Sequence, residues 1–338
     1  MNLSRLQQLL ESFKSQRILV IGDLMLDEFI WGNVKRISPE APVPVVEVVR
    51  ESYFPGGAAN VARNLREFAK DVRVLGIIGT DAPAEKLKQV LTSEGINLDC
   101  VHQDPEYQTI IKTRIIAKNQ QVVRVDREKK VGLSPAQIQQ TLAHLDQILP
   151  EIDAIIVEDY AKGLVQQTLA DTIAPMVSKA GKILAIDPNP ENLLDWKGVT
   201  VMKPNRAEAF AAAGRNFIDP VEPVQNDKAL MEVGELLLKK WDAENLLITL
   251  GEQGMVLFPR SGEPYYAPTQ AREVFDVSGA GDTVIALFTL ALCSGATPAE
   301  AAEISNHASG VVVGKLGTAT VSPQELLESF EKNCPSAG

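Results

Sequence analysis

Short, uninterrupted apolar runs alternate with helix-patterned segments along most of this chain, and that alternation limits its fold more than any other feature. The run at 17–21 ends in Gly22-Asp23, and similar runs recur at 72–78, 154–157, 183–186 and 246–250. An apolar run without polar interruption reads as a strand buried on both faces. Between the runs, residues 58–68, 84–93, 135–148, 165–177 and 230–241 carry helical spacing. The pattern predicts an α/β fold, a mostly parallel sheet with helices on both faces, whose ligands gather at the C-terminal strand ends. The polar residues after these runs are Asp23 and Asp27, Glu158 and Asp159, Asp187, and Gly251. Acids at several strand ends suit one cleft that binds hydroxyls and a metal.

Two segments break the alternation. Residues 29–49 carry Pro39, Pro42 and Pro44 between β-like pieces, and 108–128 form a longer β pattern turning at 118–121. They read as a small antiparallel lid beside the main sheet. With two central residues in the turn, Lys112, Arg114 and Arg127 point to one face of the hairpin. Ile110, Ile111, Ile115 and Ile116 in an exposed lid need cover, which a second subunit would supply. The basic face also reads as a solvated strand. No repeat or clear linker divides the 338 residues, so a single domain over 1–338 is expected, with 214–227 as a surface loop.

The net charge of −11 argues against a nucleic-acid surface. Cys100, Cys293 and Cys334 form no CxxC pair, and His102, His144 and His307 form no metal motif. The cysteine usage suits a cytoplasmic protein. Leu3, Leu6, Leu9, Leu10 and Phe13 give residues 1–16 one apolar helical face. No run is long and apolar enough to span a bilayer.

Chemistry concentrates in Asp276-Val277-Ser278-Gly279-Ala280-Gly281-Asp282-Thr283. A Gly-Ala-Gly loop entering a helix is an anion site, because the first helical N–H groups have no internal partner. A carboxylate beside such a site is costly unless a hydroxyl proton or a metal intervenes. Asp282 therefore reads as a base for an acceptor hydroxyl, with the Gly279, Ala280 and Gly281 amides holding a transferred phosphoryl group. A plain N-capping Asp is the alternative. Gly56-Gly57-Ala58-Ala59-Asn60 is a second glycine turn opening a helix, where Asn60 suits a polyol; a tight junction is the alternative. Asn205-Arg206-Ala207-Glu208 has the spacing of a capping box, and Glu208 also suits a magnesium ion held through water. Thr249-Leu250-Gly251-Glu252-Gln253-Gly254 offers a turn able to pass under a nucleotide. Asp159-Tyr160-Ala161-Lys162-Gly163 offers a carboxylate, a ring and a cation. No ordinary P-loop and no protein-kinase signature is present.

Together these stretches resemble the ribokinase-like (PfkB) family of carbohydrate kinases over nearly the whole chain. The resemblance implies a three-layer sandwich with a small antiparallel β lid, ATP with Mg2+ as phosphoryl donor, and a homodimer through the lid. It implies Asp282 as base and Gly279, Ala280 and Gly281 as anion hole. Asp27, Gly57 and Asn60 match sugar contacts. Asn205 and Glu208 match the nucleotide–magnesium motif, Thr249, Gly251 and Gly254 the nucleotide turn, and Asn306 lies near the adenine. Asp276 and Ser278 match a loop that often binds a monovalent cation such as K+, with serine where threonine is commoner. Four stretches are similar to the branch acting on the anomeric hydroxyl of D-glycero-D-manno-heptose 7-phosphate: 22–27, 36–45, 112–115 and 159–163. Arg36, Lys112, Arg114 and Lys162 are the candidates for the remote phosphate, and Asp159 joins the substrate side. In many bacteria this kinase is fused to a nucleotidyltransferase, and up to Gly338 only the kinase is expected. The rival readings are a sibling kinase for another sugar, sugar phosphate or nucleoside, and a non-catalytic sugar- or nucleotide-binding regulator.

Overall fold

The computed structural model describes residues 1–118, 120–271, 274–315 and 317–333; Cys334 and Asn119, at the expected lid turn, lie outside the described residues. The strands are β1 (Arg17–Gly22), β2 (Leu24–Ile37), β3 (Pro44–Gly57), β4 (Asp71–Ile78), β5 (Asn97–Gln103), β6 (Ile110–Ala117) and β7 (Gln120–Arg127). They continue as β8 (Ala154–Glu158), β9 (Ile183–Asp187), β10 (Val201–Met202), β11 (Asn245–Thr249), β12 (Met255–Pro259) and β13 (Tyr265–Ala267). The helices are α1 (Leu3–Phe13), α2 (Ala58–Arg66), α3 (Ala82–Ser93), α4 (Pro135–Ile148) and α5 (Gln167–Lys179). After them come α6 (Arg206–Ala212), α7 (Lys228–Lys240), α8 (Ala280–Cys293), α9 (Pro298–Val312) and α10 (Pro323–Asn333).

A large sheet runs β13-β12-β11-β10-β9-β8-β1-β4-β5, parallel from β11 to β5 and antiparallel at β12 and β13. Alternate residues of one strand serve two cores. Ile18 and Val20 pack with α1, α2, α3, α8, α9 and α10, whereas Leu19 and Ile21 pack with α4, α5, α6 and α7. That is why β1 shows no polar alternation: both its faces are covered. The helix start signals hold locally. Asp81, Ser134, Asn205 and Thr297 each accept the amide of the third helical residue, the last three within capping boxes.

The second sheet, β3-β2-β6-β7, is the lid. It consists of two antiparallel hairpins whose inner strands, β2 and β6, pair in parallel. The antiparallel lid read from sequence is present, with one parallel pair where its two hairpins meet. Its first strand also begins earlier than expected, at Leu24, so the lid grows directly out of the end of β1. Lys112 pairs with Asp126 and Arg127 with Ile111, which places Arg127 on the opposite face from Lys112 and Arg114. Ile110 and Ile111 are buried within the chain itself, and Ile115 and Ile116 are half-buried. The lid's exposed apolar residues instead include Ile37, Val48, Val49, Val122, Val123 and Val125. Among the described residues, no helix is long and apolar enough to cross a membrane.

Candidate active site

β1 ends in Gly22, β8 in Glu158 and β9 in Asp187, in adjacent register. Asp23, just beyond β1, organises the loop after β8. Its carboxylate accepts the backbone amides of Tyr160, Lys162 and Leu164 at 3.1–3.2 Å. The folded-back loop delivers the Tyr160 ring to the cleft. There the Tyr160 hydroxyl donates to Oδ1 of Asp282 at 2.9 Å. Asn60, on α2, donates from Nδ2 to Oδ2 of Asp282 at 2.6 Å. Asp282 is the third residue of α8 and only 8% exposed. Burial pushes its carboxyl above the usual range; the bonds from Asn60 and Tyr160, and then the charge of Lys203, pull it back. Burial, with the Asp282 charge, keeps the Tyr160 phenol protonated and able to donate.

The loop ahead of α8 has the conformation an anion site requires. Gly279 adopts φ +79°, and no side chain caps the helix. The amides of Gly279, Gly281 and Asp282 have no hydrogen-bond partner among the described residues. The Ala280 amide donates to the Val277 carbonyl oxygen at 3.2 Å. Ala280 is thereby corrected as a free donor: the turn that opens the helix uses its amide, and Asp282 supplies the third. Asn60 lies against this loop, since a Cβ on Gly279 would stand 2.7 Å from Nδ2. Its own Oδ1 is buried without a partner and so can accept a hydroxyl.

The structure brings the other expected residues to two sides of this centre. A cleft of about 450 Å3 is lined by Thr249, Gly251, Gly254, Ala280, Gly281 and Asn306 among others. Asn205 is bridged to Thr249, and Asn306 donates to the Pro268 carbonyl oxygen at the rim. On the far side, Asp27 is buried beneath the lid and paired with Arg114. Lys112, on β6, is the register partner of Asp27 on β2, with its ammonium 6.0 Å from the Tyr160 ring centroid. Burial raises the Asp27 carboxyl, offset by Arg114 and Lys112. Gly57 has φ +59°, and a Cβ there would stand 2.5 Å from the Asp23 carbonyl oxygen, so the turn into α2 requires glycine.

Some expected residues stand elsewhere. Arg36 is exposed nine positions beyond Asp27 on β2, roughly 30 Å along the strand; it does not reach this chain's cleft. Asp159 is tied into its own loop, accepting from the Ala161 amide and Asn192 Nδ2, and burial lifts its carboxyl to about 6. Lys162 pairs with Glu128 at 2.7 Å. Asp276 accepts the amides of Ser278 and Gly317, which uses both carboxylate oxygens to shape the loop. Glu208 is half-buried, and its Oε2 closes the capping box on Asn205. Among the described residues no three candidate ligands converge on one point. Magnesium held through water and nucleotide phosphates needs only one or two carboxylates, so Glu208 fits that mode. Two side chains central to the geometry carry no sequence motif of their own: Tyr160, which the sequence shows only as a ring within its loop, and Lys203. A lysine directly before Pro204-Asn205 at a buried strand end was the available signal.

The family profile described as pfkB family carbohydrate kinase matches residues 15–325. The bifunctional protein HldE of Desulfatibacillum aliphaticivorans is 43% identical over 93% of this chain; the chain spans 63% of that relative's length. Arabidopsis thaliana ribokinase complexed with ribose and ATP superposes with a TM-score of 0.69 at 17% identity, covering 94% of this chain and 99% of that one. Phosphofructokinase-2 from Escherichia coli in complex with potassium gives a TM-score of 0.74 at 16% identity with the same coverage.

Proposed function

This chain belongs to the pfkB family of carbohydrate kinases and is an ATP-dependent sugar kinase, and from that premise we propose that its acceptor is the anomeric hydroxyl of D-glycero-D-manno-heptose 7-phosphate. The product is the 1,7-bisphosphate, a precursor for ADP-heptose. The observation that carries the reading is the Asp282 carboxylate, fixed by Asn60 and Tyr160 beside the unpartnered amides of Gly279, Gly281 and its own.

The nucleotide lies in the cleft between Thr249–Gly254 and Asn306, and the sugar lies beneath the lid against Asp27 and Asn60. The sugar hydroxyl attacks the γ-phosphorus in line. Its proton passes to a carboxylate oxygen of Asp282 as the bond to the ADP oxygen breaks. The loop amides meet the charge on the transferred oxygens without reorganising, which is where most of the rate arises. Glu208 would hold magnesium through water, and that ion would supply charge neutralisation at the phosphates. Lys112, with Arg114 beside it, receives the remote 7-phosphate. The likeness of residues 36–45 and 112–115 to the heptose branch, and the HldE relative, support this acceptor over other sugars. The exposed Val48, Val49, Val123 and Val125 support a homodimer through the lid. Stimulation by potassium is proposed from the loop resemblance, with Asp276 fixing the loop's shape. The test is ADP release with heptose 7-phosphate against ribose, fructose and fructose 6-phosphate. A clear preference for heptose 7-phosphate is expected, and equal or better turnover of any other sugar would overturn the acceptor assignment.

A further inference from the structure

Both carboxylate oxygens of Asp27 are engaged within the lid. Oδ1 accepts from Nη1 of Arg114, on β6. Oδ2 is turned against β3, because a Cβ on Gly56 would stand 2.6 Å from it. The pair is largely buried, with the Asp27 side chain 7% exposed and that of Arg114 16%. The charge of Asp282 nevertheless acts on Asp27, so the two carboxylates border one cleft. Asp27 is thus committed to the lid rather than turned to a ligand.

The cations around it are the less committed partners. A guanidinium carries five donors, and Asp27 is the one hydrogen-bond partner of Arg114 among the described residues. Lys112, two residues earlier on the same face of β6, has no hydrogen-bond or ion-pair partner among the described residues. Directly opposite Arg114 across the β6–β7 ladder stands Arg124, itself paired with Asp126 at 2.9 Å. Like charges facing each other across a ladder are unfavourable. Three cations with donors to spare on one lid face suit a dianion.

We propose that the Asp27–Arg114 ion pair is a latch opened by the acceptor's own phosphate, which draws the guanidinium off Asp27 and frees that carboxylate to take a sugar hydroxyl. The inference rests on the acceptor reading, in which Lys112 and Arg114 receive the remote phosphate and Asp27 contacts the sugar. It makes the phosphate a condition of turnover and not only of binding. Separating a buried ion pair is costly unless each partner is offered a replacement. A phosphorylated acceptor offers the guanidinium a charged, bidentate partner and the carboxylate a hydroxyl donor. An unphosphorylated sugar offers the guanidinium nothing. Energy from a remote group is thereby used to assemble the reacting site, and no steric wall is needed to refuse sugars without a phosphate.

The test divides the acceptor into two pieces and uses the unaltered protein. ADP release is measured with unphosphorylated D-glycero-D-manno-heptose, with and without phosphite dianion. Phosphite should raise kcat/KM for this sugar about tenfold or more. It should not raise kcat/KM for heptose 7-phosphate, which carries its own phosphate. Arg114→Met should abolish the phosphite response and shrink the preference for the phosphorylated sugar about ten- to a hundredfold. The variant should turn over unphosphorylated heptose at least as well as the parent. A parent that does not respond to phosphite overturns the latch, as does equal activation with both sugars, or an Arg114→Met variant that slows both by the same factor. If Arg114→Met does not fold, the response of the parent decides alone. If another sugar phosphate proves the better acceptor, the heptose assignment falls, and the same comparison with that sugar and its unphosphorylated form decides the latch. A preferred acceptor without a phosphate overturns both.

Discussion

Replacing Tyr160 with Phe removes one hydroxyl from the cleft and leaves the ring that fills it. The lost bond is the 2.9 Å donation to Oδ1 of Asp282. That carboxylate is nearly buried, so water does not readily replace the donor. A hydrogen bond to a charged group contributes about 1.5–3 kcal/mol. The bond favours the ionised form, so its loss favours the protonated one. At about 1.36 kcal/mol per tenfold, proton occupancy of Asp282 rises roughly ten- to a hundredfold at a given pH. A protonated Asp282 cannot accept the acceptor's proton. The acid limb of the kcat profile should therefore move toward neutral pH. Activity well above that limb should stay within a few-fold of the parent, because Asn60 and the loop amides are untouched. Steady-state ADP release between about pH 5 and 9 reads this directly. An unmoved acid limb would refute the reasoning, and so would a loss of the same factor at every pH.

Neighbouring geometry gives further outcomes. Lys112→Ala should raise KM for the sugar phosphate about tenfold or more while changing KM for ATP little; equal effects on both would remove Lys112 from the phosphate site. His307 stacks on Phe330 at 3.7 Å, and burial pushes its imidazole down to about 4. Because the folded protein resists this protonation, stability is fully present above the unfolded pKa near 6.5 and is lost as pH falls toward 4. The loss is on the order of 3 kcal/mol, measurable by urea unfolding at several pH values; His307→Gln should flatten that dependence, and an unchanged slope would contradict it.

The central strands were legible because burial on both faces removes polar alternation, leaving runs such as 17–21 with no competing reading. The turns at Gly57 and Gly279 and the cap at Asn205 were legible because turns and caps impose residue types locally. Long-range geometry was not. Nothing local tells that β2 and β6 pair in parallel, since their connection runs through much of the fold. Arg36 lies in a distinctive stretch, yet the length of β2 carries it out of the cleft. Asp159 follows an apolar run, the position expected of a cleft residue, yet it secures its own loop while its neighbour Tyr160 reaches Asp282. Lys203 gained significance only when the fold set it between Asp187 and Gly281, residues distant in sequence.

The role of Asp282 is tested most directly by Asp282→Asn, measured in one preparation for kcat and for Kd of magnesium-ADP. The side chain keeps its shape and its place between Asn60 and Tyr160 but can no longer take a proton. A fall in kcat of about 10²–10⁴-fold with nucleotide affinity nearly unchanged is predicted; turnover near that of the parent would contradict the assignment of Asp282 as base.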